Sequence, residues 1–200
     1  MVAPSPPFAL LTGAPEPPRP VQGVAERPTV AQLWAWLRDV PDPEIPVVSV
    51  VDLGIVRDVV WSSEDPEKAC VTVTPTYSGC PATEVIGTHI REALLSHGVA
   101  RIELRTQLSP AWTTDWMTEQ ARHNLQEYGI VPPALRDLLP ANGLAGSLVV
   151  LGQGAPSPQL PCPRCGSAET EMISRFGSTP CKSLHRCLLC LEPFDHFKCH

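Results

Sequence analysis

The sequence predicts an α+β protein. A small domain with elements in the order α-β-β-α-β-α, its helices packed on one face of the sheet, is followed by a short C-terminal ribbon built on cysteines. Three observations predict it. Between residues 28 and 131, stretches with helical apolar spacing are interspersed with β-branched or alternating stretches. Prolines, 24 in 200 residues, crowd 1–28 and 132–163 and so bracket that domain. Beyond residue 160, two Cys-x2-Cys pairs stand 21 residues apart.

The elements follow in order. "PTVAQLWAWLRDV" opens with Thr29 and places Gln32 three residues later, a capping-box pattern. Val30, Leu33, Trp34 and Leu37 then form one stripe, so a first helix is expected over about 30–39. It stops at "PDPEIP", where prolines withhold amide donors and force the residues before them toward extended backbone. "VVDLGIVRDVVW" is β-branched, with Gly54 marking a bulge or a close approach, and "ACVTVTP" alternates; the turn "EDPEK" lets them pair as a hairpin. Pro81 suits a first helical position, and Ala82, Val85, Ile86, His89, Ile90, Ala93 and Leu94 keep helical spacing, giving a second helix over about 81–96 that ends near Gly98. "RIELRTQL" reads as a third strand, with Ile102, Leu104 and Thr106 facing one way. "SPAWTTDWMTEQARHNLQEYG" supplies a threonine cap and a third helix to about Tyr128.

The flanks read differently. Proline-rich polar sequence buries too little apolar area to offset its ordering entropy, so 1–27 is expected to be a disordered tail and 132–160 a linker. "GSLVVLG" within that linker is either a short strand or a docking segment. The net charge of -6 argues against a nucleic-acid or acidic-membrane partner, which needs a basic face. No apolar run reaches the ~18 residues of a membrane span, and the N-terminus lacks the form of a signal peptide. A cytoplasmic location is therefore expected, where paired cysteines more often hold metal than form disulfides.

Two Cys-x2-Cys turns, Cys162/Cys165 and Cys187/Cys190, complete a four-thiolate tetrahedral site of the structural zinc kind. A module of about 40 residues over 161–200, with few large apolar side chains, needs that metal to fold. A rubredoxin-like iron and disulfides are the rival readings; "CPRCG" has the form iron sites also use, but "CLLCLEP" lacks the matching glycine. Cys181, Cys199, His185, His196 and His200 are further ligand types nearby, either ordinary residues or a second, transient metal site. Five basic and four acidic residues across the ribbon make no basic stripe, so a protein-docking role is the default.

Cys80, between Gly79 and Pro81, stands where a strand must turn sharply into a helix. There the helix dipole and unpaired amides favour a thiolate. Packing, metal or sulfur binding, and nucleophilic catalysis all remain open. The nucleophilic reading needs a histidine at hydrogen-bond distance. His89 and His97 lie too far along the same helix, which leaves His123 through tertiary folding. Asp42 and Glu44 sit in the rigid loop "DVPDPEIP", as metal ligands, as an acid–base pair, or as a plain turn. Cys70, in a strand, reads as packing, and Trp112 and Trp116 as core or interface anchors.

"VPDPEIPVVSVVDLGIVRDV", "VTPTYSGCPATE", "LSPAWTTDWMTEQARHNLQEYGI" and the tail "CPRCGS…SRFGSTPCKSLHRCLLCLEPFDHFKC" resemble the PaaD (PaaJ) family of the phenylacetyl-CoA epoxidase system. The central part is also similar to the wider SufT-like family of iron–sulfur cluster assembly. The resemblance covers about 28–131 and 161–200 and implies a SufT-like domain fused to a zinc ribbon. It implies aerobic phenylacetate degradation, in which a di-iron monooxygenase epoxidises phenylacetyl-CoA and a reductase carries an iron–sulfur centre and flavin. This chain has neither paired Glu-x-x-His motifs nor a GxGxxG fingerprint, so it is expected to be a non-catalytic accessory subunit. The expected role is assembly or maturation of an iron–sulfur cluster in the reductase, with the other subunits as partners and self-association left open. The family's Asp-Pro-Glu motif maps onto Asp42, Pro43 and Glu44, and its reactive cysteine onto Cys80, with Thr76 in the same motif. These would hold iron or an iron–sulfur cluster transiently, while zinc occupies the ribbon. The alternatives are a cysteine-dependent enzyme acting on a CoA thioester and a structural scaffold subunit.

Overall fold

A computed structural model describes residues 27–133 and 160–198 of the 200-residue chain. Nearly all of the expected tail (1–27) and linker (132–160), the "GSLVVLG" stretch and Cys199 lie outside the described residues.

Helix α1 (Val30–Arg38) begins at the predicted capping box: the Gln32 amide donates to Thr29 Oγ1, and the Thr29 amide donates to Gln32 Oε1 at 2.8 Å. Leu33 and Leu37 are its buried residues, whereas Val30, at the first helical position, points to solvent. Strands β1 (Val56–Trp61) and β2 (Lys68–Val73) pair antiparallel as expected, with a register shift at Arg57. Strand β3 (Arg101–Thr106) pairs parallel to β2, so the sheet order is β1-β2-β3. A parallel neighbour requires a crossover, and helix α2 (Ala82–Ser96) supplies it. Its stripe is Ala82, Ile86, Ile90 and Leu94; Val85 is exposed.

The β2 residues Ala69, Val71 and Val73 face α1 and α2 in one apolar core with Leu33, Leu37, Ile86, Ile90 and Leu94. Ile102 and Leu104 of β3 pack against it, and Thr106 is exposed at the strand end. The opposite sheet face carries Lys68, Glu103 and Arg105 in ion pairs around the Cys70 thiol. Trp36 stacks on His97, tying α1 to the end of α2. The third helical stretch divides: Thr113 caps a short 3-10 turn (Thr114–Trp116), and Thr118 caps α3 (Glu119–Glu127). Trp112 is buried and donates from its indole to the Leu53 carbonyl at 2.9 Å.

The ribbon strands β5 (Thr170–Ser174), β6 (Lys182–Cys187) and β7 (Pro193–Phe197) form an antiparallel meander. A two-residue strand β4 (Ile130–Val131), directly after α3, adds to it parallel to β7, giving the order β4-β7-β6-β5. Cys181 and Phe197 belong to the same apolar core as α1 and α2. The helical domain and the ribbon therefore share a sheet and a core.

Candidate functional site

The four ribbon thiols meet at one point. Cys162 Sγ lies 3.7 Å from Cys190 Sγ, Cys165 Sγ lies 3.6 Å from Cys187 Sγ, and all four sulfurs lie within 4.8 Å of one another. A tetrahedral ion with metal–sulfur bonds of about 2.3 Å sets its sulfurs about 3.8 Å apart, so the quartet fits one such ion. Gly166 takes the left-handed backbone after the first knuckle, with φ +73°. After the second knuckle, where glycine is missing, Leu191 takes it instead at φ +62°. The Cys190 amide, 3.5 Å from Cys187 Sγ, helps hold that thiol down to about 6. His185 and His196 are not ligands of this centre: they flank Ser183, whose hydroxyl lies 3.0 Å from His185 Nε2, and His185 stacks on Phe194.

A second cluster forms at the seam between domain and ribbon. Asp42 is buried in the loop after α1, and its Oδ1 accepts from the Glu44 and Ile45 amides at 2.9 and 2.8 Å. That clamp turns the loop so that Glu44 follows into the same cavity. From the other side, the chain leaving β2 brings Thr76, Tyr77 and Cys80. Pro81 is the N-cap residue of α2, one position after Cys80, and the Cys80 carbonyl accepts from the Thr83 hydroxyl at 2.8 Å. From the ribbon, Cys181 enters just before β6 and donates its thiol to Glu44 Oε2 at 3.7 Å.

Asp42, Glu44, Thr76, Cys80 and Cys181 thus line one cavity of about 20 Å3, walled by Ile45, Leu53, Ile55, Ile86 and Phe197. A more open groove of about 230 Å3, lined by residues of 74–78 together with Leu108, Ala111 and Trp112, adjoins it through Pro75 and Thr76. The electrostatics agree with a crowd of acids in a low-dielectric corner. Burial raises the Asp42 carboxyl above 3.8, with Glu44 adding and the two amide bonds and Lys182 opposing. Burial pushes the Tyr77 phenol up to about 12, assisted by Cys80, Glu44 and Cys181. The Cys181 thiol is pushed up to about 11, chiefly by burial.

Among the described residues no histidine lines this cavity. His123 is exposed and faces Glu127 on its own helix at 3.3 Å, so the tertiary fold does not bring it to Cys80. Cys70 is buried on the far sheet face and stays apart from both clusters. Sequence reasoning brings together Asp42, Glu44, Thr76 and Cys80, but places Cys181 with the ribbon's spare ligands. No local pattern marks its true position, because the Glu44 it touches is 137 residues away along the chain.

Two family models match: residues 30–104 match an iron–sulfur cluster assembly protein family, and residues 149–198 match the PaaD zinc beta ribbon domain. Over 172 residues the chain is 48% identical to a putative 1,2-phenylacetyl-CoA epoxidase subunit of Escherichia coli (strain K12), covering 86% of this chain and 94% of that protein. The chain belongs to the PaaD family of phenylacetyl-CoA epoxidase subunits. Among solved structures, it is similar to a domain of unknown function from Bacillus anthracis at 32% identity, with a TM-score of 0.44, covering 48% of this chain and 90% of that one. A conserved hypothetical protein from Thermotoga maritima matches at 26% identity and a TM-score of 0.43, covering 50% and 97%. In this PaaD-family chain the seam cavity draws on both matched segments: Asp42, Glu44, Thr76 and Cys80 come from the assembly-type domain, and Cys181 from the ribbon.

Proposed function

We propose that the protein is an accessory maturation factor of the phenylacetyl-CoA epoxidase system, delivering iron or an iron–sulfur cluster to the reductase component. The observation that carries this reading is the convergence of Asp42, Glu44, Thr76 and Cys80 on one cavity in an assembly-type domain. Thiol and carboxylate donors together suit iron, and a half-exposed Cys80 beside an open groove suits a cargo that must leave again. The ribbon quartet holds a structural zinc, for which four thiolates in a closed site are the usual set. Among the described residues no histidine lines the cavity, which gives a Cys–His nucleophile acting on a thioester no support.

The test is genetic and chemical. The gene is deleted, the reductase is purified from the deletion strain, and its iron and labile sulfide are measured. Both are expected to fall, to recover with the parent gene, and not to recover with Cys80→Ala. Full occupancy in the deletion strain overturns the reading.

A further inference from the structure

The seam cavity contains a thiol that the assembly-type domain does not supply. Cys181 is buried at the edge of the apolar core, yet its thiol also meets polar groups. Its S–H points at the Glu44 carboxylate, Thr179 Oγ1 lies 3.0 Å from its sulfur, and Asp42, Tyr77 and Cys80 share the corner. Two carboxyls, two thiols and a phenol are gathered there, Asp42 and Cys181 buried and Glu44, Tyr77 and Cys80 half-buried. Lys182, a cation that acts on Asp42 and Cys181, is itself paired with Asp195 at 3.6 Å. With Lys182 shared with Asp195, negative charge on the buried Asp42 and Cys181 is costly, and protons or a metal ion can neutralise it. The Cys181 thiol proton lies on the Cys181–Glu44 line, and an ion held by these two side chains would take its place.

Size narrows the occupant. A cavity of about 20 Å3 admits roughly one water-sized sphere, hence a single ion and not a preassembled cluster. Spacing narrows the mode of binding. Among the described residues only the ribbon quartet has three or more donors within 4.8 Å of one another, so the seam donors stand looser than those of a closed structural site. They must draw in on an ion, and binding is correspondingly weaker and reversible.

We infer that Cys181 of the ribbon and Cys80 of the helical domain are the two thiolate ligands of a second, mononuclear site for a thiophilic divalent cation such as Fe2+, with Glu44 as a carboxylate ligand. This deepens the maturation reading and rests on it for the identity of the cargo. Binding replaces the two thiol protons, which leave to solvent. Strand β6 then links both centres, since Cys181 immediately precedes it and Cys187 of the zinc quartet ends it.

The experiment uses the full chain carrying one zinc per molecule, titrated anaerobically with Co2+ as the probe. A second equivalent is expected to bind with sulfur-to-cobalt charge-transfer absorption. Cys80→Ser and Cys181→Ser are each expected to lose about half of that absorption and to weaken binding about tenfold or more. Zinc content and circular dichroism report whether each variant folds. X-ray absorption at the cobalt edge of the parent needs no variant and is expected to count two sulfurs. A count of none, one or four, no second equivalent, or an unchanged spectrum in a folded Cys181→Ser overturns the inference. No client takes part in this measurement. A two-sulfur site in a protein whose deletion leaves the reductase fully loaded would sink the maturation reading and keep the site.

Discussion

Asp42 serves two purposes at once. Its Oδ1 clamps the amides of Glu44 and Ile45, and its burial raises its pKa above the ordinary 3.8. A carboxyl with a raised folded pKa holds its proton more tightly in the folded chain than in the unfolded one. Its contribution to stability is therefore fullest below 3.8 and is lost as pH rises through the folded value. Asp42→Asn keeps an oxygen for both amides and removes the ionisation. Denaturant melts across that window are expected to show the parent losing stability relative to the variant as pH rises. A constant difference between the two would mean that Asp42 is not buried as described. Leu191 makes a related point about backbone. The left-handed turn after a Cys-x2-Cys knuckle is needed whether or not glycine fills it, and here an exposed leucine takes the conformation. The missing glycine in "CLLCLEP" is thus a poor guide to which metal is held.

At the scale of elements, what was legible in the sequence was local. The capping box at Thr29 and Gln32 depends on residues three apart, and it forms as read. Thr29→Ala is expected to destabilise the protein by about 1 kcal/mol, measured by denaturant unfolding. The hairpin and the start of α2 were likewise visible, because turn chemistry and proline act over a few residues. The 3-10 turn before α3 was not visible. Two threonines five residues apart, Thr113 and Thr118, each cap an element, and a single stripe does not show that the chain changes direction between them. Gly54 in a β-branched run suits either a bulge or a close approach, and the structure shows the second. It has φ +71°, and a Cβ there would lie 2.6 Å from the Trp116 carbonyl oxygen. Strand β4 leaves no local signal for a different reason: two residues carry no period, and the partner β7 lies more than 60 positions onward.

At the scale of the described fold, the helical domain and the ribbon pack together through long-range contacts that cross the seam. Phe197 of β7 is almost completely buried in the core of the helical domain, and its ring centroid lies 5.9 Å from that of Trp112. Stripping metal from the quartet with a chelator is expected to lower the melting temperature and to shift tryptophan emission in the same transition. A ribbon that melted first, with the indole signal unchanged, would contradict the shared core. The candidate site shows the same division between near and far. Asp42, Glu44, Thr76 and Cys80 were readable as a motif, but Cys181 was hidden among four better-organised neighbours.

The pairing of β4 with β7 also bears on chimeras. A protein engineer who cut between the two matched segments and grafted on the ribbon of a relative would not be exchanging a detachable handle. The graft would bring a new lining for the Cys80 cavity, a new neighbour for Trp112 and a new edge for β4. Hybrids of that kind should differ in what the cavity accepts even when every residue of the helical domain is kept.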